Sequence, residues 1–211
     1  MKWYFINDDY LNYLKRFESR IPNTNYGSDK LKPFFGSLFE VDNLIYVTQV
    51  SHPKERHKLL KNSKDFIKIY NNDNLMAVVN LNYMFPVLKE ELIHITYKDI
   101  DKFRNFSDNR EKSKYINLLK KELKEIKNNN IDLKAKSLYI FKYKFPENEI
   151  SKRCCDFKEL EQLAKLYSNN IQQDIQNKPK LSLKNKLDKN KKLIEDSKNI
   201  TKNIKSNNRS L

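Results

Sequence analysis

The chain has 211 residues, room for one domain and about thirty residues more, and its 42 Lys/Arg against 27 Asp/Glu give a net charge of +15. All twelve Tyr, all twelve Phe and the one Trp fall within the first 167 residues, so large rings make a real core there although only 38% of the chain is hydrophobic. No stretch reaches about 18 apolar residues and the start MKWYFINDDY lacks an apolar signal core; the expectation is a soluble, cytoplasmic protein with no membrane span.

The charge is uneven. Residues 178–211 hold eleven Lys/Arg and three Asp/Glu, which leaves +7 on residues 1–177. Both parts suit a polyanion such as RNA, DNA or an anionic membrane surface, because each phosphate neutralised releases a counterion. Lys, Asn and Ile are enriched together, which AT-rich coding DNA also produces. Cys154 and Cys155 are neighbours, a placement that resists an unstrained mutual bridge and gives no disulfide framework, as in a reducing compartment.

In chain order, KWYFI (2–6) predicts a strand, and Asn7 or Asp8 caps a helix whose apolar residues Tyr10, Leu11, Tyr13, Leu14 and Phe17 recur at helical spacing and which ends before Pro22. IPNTNYGSDKLKP (21–33) is a polar loop that presents Tyr26, Lys30 and Lys32 on a basic surface. FFGSLFEV (34–41), a turn at Asp42-Asn43 and LIYVTQV (44–50) form a hairpin; DFIKIY (65–70) and LMAVVN (75–80) form a second, and PVLKEELIHI (86–95) is a further strand. From about residue 98 the period becomes helical: YKDIDKFR, SKYINLLKKELKEIK, AKSLYIFKYKF and CDFKELEQLAKLY are successive helical segments, parted by Asn128-Asn129-Asn130 and by Pro146. The fold class is α+β: an antiparallel sheet of five or six strands with helices gathered toward the C-terminal half. Residues 1–177 form the domain, and 178–211 a Lys/Asn-rich tail without aromatic residues, disordered or marginally helical and able to act as an RNA-gripping arm.

VTQVSHPKERH (47–57) concentrates the reactive side chains. Ser51 and His52 are adjacent on extended chain and so point to opposite faces, and there is no Gly-x-Ser-x-Gly elbow; both facts count against a serine hydrolase. A metal site needs His52, His57 and His94 to converge with a carboxylate, at spacings that match no usual zinc pattern, so no metal or other cofactor is expected. A phosphate-binding corner fits better. Pro53 holds His52 extended and suits the first position of a helix running through PKERHKLLKN, so that Ser51, His52 and Lys54 lie at a helix N-terminus. Ser, His, Lys and Tyr can together cleave RNA without a metal, and an ordinary strand-to-helix cap is the plain alternative.

Four segments, in this order, resemble the ToxN/AbiQ family of type III toxin–antitoxin and phage abortive-infection endoribonucleases: MKWYFINDDYLNYLKRFESRIPN, KPFFGSLFEVDNLIYVTQVSHPKERH, VVNLNYMFPV and CDFKELE. The likeness spans residues 1 to about 167. It implies a compact, strongly curved antiparallel sheet surrounded by helices, similar to the Kid/MazF toxins. The implied activity is metal-independent RNA cleavage leaving a 2′,3′-cyclic phosphate and a 5′-OH. The implied inhibitor is a small repetitive antitoxin RNA, which the toxin processes and then holds in a closed toxin–RNA assembly. By position Ser51 stands for the family's hydroxyl and Lys54 for its lysine, with Tyr26 and Tyr10 matching tyrosines near the site; His52 stands where serine is common, so the general base stays open between His52 and Tyr26. Lys30, Lys32 and His57 are assigned to RNA binding, His57 alternatively to a structural role. A non-catalytic RNA-binding protein of the same shape remains the second reading, and a DNA-binding module a third that no reading-helix motif supports.

Overall fold

The computed structural model describes residues 1–24 and 30–176. Tyr26 and the tail 178–211 therefore lie outside the described residues. The first compact unit runs Met1–Ser168.

Strand β1 (Lys2–Ile6) leads through Asn7, whose side chain accepts the Asp9 N–H, into α1 (Asp8–Lys15), with Asp8 and Asp9 suiting the positive helix start. The expected strand 34–41 is two: β2 (Phe34–Gly36) and β3 (Glu40–Val41). The chain between them loops out yet stays bonded to the next strand, Leu38 N–H donating to Tyr46 O and Tyr46 N–H to Phe39 O. Asp42 and Asn43 both take positive φ, 48° and 66°, at the tight turn into β4 (Leu44–Ser51). After α2 (Glu55–Leu59), β5 (Phe66–Asn71) and β6 (Asn74–Asn80) form the second hairpin, turned at Asn72 with φ 53°.

The expected strand 86–95 also divides, into β7 (Phe85–Leu88) and β8 (Leu92–His94) around a 3₁₀ turn at Lys89–Glu91. Three consecutive charged residues fit poorly in a buried ladder, and Lys89 instead pairs with Glu40 at 3.4 Å. These two divisions turn the expected five or six strands into an eight-stranded antiparallel sheet with path β5-β6-β4-β2-β1-β8, open at both ends, β3 and β7 also lying on β4. Strand β4 changes both neighbours halfway. Its Leu44–Val47 half pairs with β3 and β7, while Thr48–Ser51 pairs with β2 and β6.

The helical half is α3 (Asn109–Asn128), α4 (Ile131–Lys144), a short α5 (Glu149–Lys152) and α6 (Phe157–Gln176). The segment 97–104, expected as a helix, makes only a 3₁₀ turn at Ile100–Lys102, because Thr96 Oγ1 and Asp99 bond to each other and to the Asp99 N–H, an alternative to helical bonding. Among the described residues no helix is long and apolar enough to cross a membrane.

Rings fill the core: Trp3 meets Phe35 edge-on at 6.0 Å, Phe34 meets Phe85 at 5.4 Å, and Tyr46 stacks on Phe39 at 4.4 Å. The Tyr46 hydroxyl donates to the buried Glu161 carboxylate at 2.7 Å, and Trp3 Nε1 donates to Leu119 O at 3.2 Å, so both polar tips are satisfied. The NLNYMFPV and CDFKELE segments meet here, with Cys155 N–H donating to Asn82 O at 2.9 Å. Burial pushes the Cys154 thiol up to about 11 and the Cys155 thiol up to about 12, so both stay protonated and inert at neutral pH.

Gly36 lies where backbone and side chain crowd: a β-carbon there would sit 2.9 Å from Val47 Cγ1 and 3.3 Å from Tyr46 O. Val47 is fully buried and stiff, so Gly36→Ala should lower stability by about 1–3 kcal/mol, read as a fall in the urea midpoint with unchanged slope.

Candidate functional site

Ser51 ends β4, half-buried and paired with Val78 of β6, which in turn pairs with Lys68 of β5. With strands about 4.8 Å apart, this row puts Lys68 roughly 10 Å from Ser51 on the same face of the sheet. Gln49, two residues back, shares that face, and its buried amide nitrogen donates to Asn23 O at 2.6 Å and Lys32 O at 2.7 Å.

Beyond Ser51 the chain stays extended. His52 and Lys54 are exposed, Pro53 is half-buried, and Lys54 (φ −108°, ψ 161°) is the N-cap of α2. The helix thus begins at Glu55 rather than at Pro53 and is only five residues long, a correction to the expected helix over PKERHKLLKN. The reason is His57: its Nδ1 accepts the Lys54 N–H at 3.1 Å while its own N–H donates to Lys54 O at 2.8 Å, a reciprocal cap that closes on Lys54. So short a helix supplies little dipole, and the positive character of the corner comes from the side chains of Lys54, Arg56 and Lys68, with Lys58 paired to Glu55 at 2.8 Å. Sequence reasoning missed Arg56, Lys58 and Lys68. Lys68 joins the group through strand register, and its Nζ donates to Lys58 O at 2.8 Å.

His57 itself is only 7% exposed and packs on Phe66 with ring centroids 5.6 Å apart. With Nδ1 accepting the Lys54 N–H and the Arg56 Nε–H turned toward Nε2 at 3.4 Å, donors face both ring nitrogens and favour the neutral imidazole over the imidazolium. Burial and then the charges of Arg56, Lys54 and Lys68 hold its pKa below the ordinary 6.5. The sign follows: the unfolded chain takes up a proton near 6.5 and the folded one resists it, so this stabilisation is complete above 6.5 and is lost as pH falls below it. His57→Ala should cost about 1–2 kcal/mol at pH 7 and flatten the loss of stability between pH 7 and pH 5, measured by urea titration at each pH.

The other expected residues are placed as follows. Lys30 and Lys32 are exposed, on the segment whose Leu31 carbonyl accepts the Tyr115 hydroxyl at 2.8 Å. Tyr26 lies outside the described residues. Tyr10 is in the core, 0% exposed, its hydroxyl donating to Pro86 O at 2.8 Å and its ring 5.1 Å from Tyr167, so it has no surface to offer a ligand. His57 is likewise turned inward and acts on Lys54 from beneath. The three histidines are not gathered: His94 is on β8, exposed beside Tyr4 at the far end of the sheet from β5.

The corner therefore offers a hydroxyl, an imidazole and an ammonium in sequence at a strand end, ringed by further cations, a set suited to holding and polarising a phosphodiester. Solved structures share the fold. One, a protein chain solved for a bacterial antiviral system regulated by a processed non-coding RNA, matches with a TM-score of 0.63 and 24% identity over 78% of this chain and 98% of that one. AbiQ, a lactococcal anti-phage endoribonuclease of the type III toxin–antitoxin class, matches with a TM-score of 0.62 and 22% identity over 80% and 98%. In sequence, Endoribonuclease ToxN of Pectobacterium atrosepticum is 28% identical over 142 residues, 65% of this chain and 77% of its own. The family model for toxin ToxN of the type III toxin–antitoxin system matches residues 2–165, nearly the whole of the first unit with β4, the corner and α3 to α5 inside it, and the chain belongs to that family.

Proposed function

We propose that this protein is a sequence-preferring endoribonuclease toxin that cuts RNA by attack of the 2′-OH on the adjacent phosphorus. The observation that carries the reading is the exposed Ser51-His52-Pro53-Lys54 corner, closed from below by His57, in a chain of the ToxN family. In this mechanism Lys54 neutralises the charge that builds on the phosphorane, and Ser51 donates a hydrogen bond to a non-bridging oxygen. His52 or Tyr26 accepts the 2′-OH proton, and a protonated partner returns one to the departing 5′ oxygen; the P–O5′ bond breaks as the 2′-O–P bond forms, leaving a 2′,3′-cyclic phosphate and a 5′-OH. Lys30, Lys32, Lys58 and Lys68 add ionic contacts to the RNA backbone, which makes binding salt-dependent. No metal or other cofactor takes part. A repetitive antitoxin RNA, processed by the toxin and then held in a closed toxin–RNA assembly, fills the same corner and inhibits it in the cytoplasm.

Purified protein incubated with RNA in excess EDTA tests this. Products ending in a cyclic phosphate support the assignment. Intact but bound RNA would instead make the protein a non-catalytic binder of the same fold.

A further inference from the structure

The β2–β4 register pairs Phe34 with Gln49 and Phe35 with Thr48. Lys32 stands two residues before Phe34 and Ser51 two residues after Gln49, so the same antiparallel register directs Lys32 toward Ser51, on the side of β4 away from Val78. Pro33 has no N–H to continue the ladder, so ordinary strand pairing does not hold Lys32 there. The Gln49 side chain does so instead, donating to Lys32 O at 2.7 Å and to Asn23 O at 2.6 Å, so one amide ties the residues before β2 to the segment after α1. The grip is reinforced: Lys32 N–H donates to Thr24 O at 2.9 Å, and from α3 the Tyr115 hydroxyl donates to Leu31 O at 2.8 Å. Tyr115 is itself held by Arg104, whose guanidinium lies 4.4 Å from the ring centre and pairs with Glu111 at 2.7 Å.

Gln49 and Thr48 are the buried polar residues of β4, and where Thr48 bonds to the neighbouring Asn80 O, Gln49 reaches two carbonyls outside the sheet. We infer that Gln49 is a positioning residue of the proposed RNA-cleaving site: it directs Lys32 toward Ser51, so that Lys32 and Lys54 flank that hydroxyl from two different segments and clamp one phosphate between them. The inference rests on the assignment of the corner as the cleavage site. It adds a residue that touches no RNA yet sets the spacing of the two lysines.

Gln49→Leu keeps the volume and removes the donor, while Gln49→Glu puts an acceptor against two carbonyl oxygens. Both are compared with Lys32→Met and with the Gln49→Leu/Lys32→Met double variant, in single-turnover cleavage of a defined RNA with thermal unfolding in parallel. Gln49→Leu should stay folded at the assay temperature and lose about 10- to 100-fold in the cleavage step with a smaller change in RNA affinity. The double variant should be no worse than Lys32→Met alone, since Gln49 acts through Lys32. Gln49→Glu should regain activity as pH falls and the carboxyl recovers a proton to donate. Full cleavage by folded Gln49→Leu, or losses that multiply in the double variant, would overturn the inference. If Gln49→Leu is too unstable to assay, the pH recovery of Gln49→Glu decides it, and a pH profile parallel to the parent's counts against it. Failure here, with cleavage by the parent still dependent on Lys54, leaves the RNase assignment standing; cleavage independent of Lys54 removes both.

Discussion

Lys54→Ala abolishes RNA cleavage, by at least about 100-fold in the cleavage step, and with it growth inhibition on expression, while the protein unfolds at the same urea concentration as the parent. The separation of activity from stability follows from the placement of this residue. The Lys54 side chain is exposed and has no part in the core, and what holds the corner together is its backbone, bonded on both sides by His57. Alanine keeps that backbone N–H and C=O, so the cap survives; only the ammonium is lost, and with it the charge that meets the phosphorane. Lys54→Arg is the informative control. It keeps the charge but replaces a compact ammonium with a wider planar fork, and intermediate activity is expected from it. RNA binding by Lys54→Ala should weaken far less than cleavage, because Arg56, Lys58 and Lys68 still provide ionic contacts. Full cleavage by the folded variant would remove the corner from the mechanism.

How the corner was legible in advance, and where it was not, has a physical logic. Period-2 runs closed by Asp42-Asn43 and Asn72-Asp73 announce their hairpins locally, because only residues that tolerate positive φ make such turns. Ser51, His52 and Lys54 are recognisable because chemistry-bearing residues stand together in sequence. Their supports are not. Gln49 bonds to carbonyls 17 and 26 residues away, and Lys68 arrives beside Ser51 only through the pairing of β4, β6 and β5. Tyr10 shows the opposite error: an aromatic on a helix near the N-terminus looks available, and only the packing against Tyr167 and Pro86 shows that it is consumed by the core. His57 fell between these cases, since a cap at the third helical position was readable in principle, but the histidine that makes it is an unusual substitute for glutamate or glutamine. The Lys89–Glu91 turn and the Thr96–Asp99 pair broke two predicted elements because side chains there have partners that no periodicity records.

Arg153→Leu should destabilise the protein by about 2–3 kcal/mol. Asp65 is 3% exposed immediately before β5, and the Arg153 guanidinium grips it with two bonds, Nε to Oδ2 at 2.5 Å and Nη2 to Oδ1 at 2.6 Å. Ser63 adds a third donor at 2.7 Å. Without the arginine the carboxylate remains buried with one hydroxyl for company, and the cost is the desolvation of a charge that has lost its counter-ion. Half the Arg153 side chain is exposed, so solvent replaces part of the lost interaction and the figure belongs below the range for a fully buried pair. The pair also matters for where it sits. The carbonyl of Arg153 accepts from Arg20 Nη1 at 2.8 Å, and two residues on the Cys155 N–H donates to Asn82 O, so three contacts within three residues tie the segment before α6 to the entry of β5, the segment after α1 and the turn after β6. Asp65→Asn should cost less than Arg153→Leu, because an amide is easier to bury than an unpaired carboxylate, and the double variant should recover part of the loss. A coupling energy near zero in that cycle, measured by urea unfolding at constant pH and salt, would show that the two side chains stabilise the fold independently.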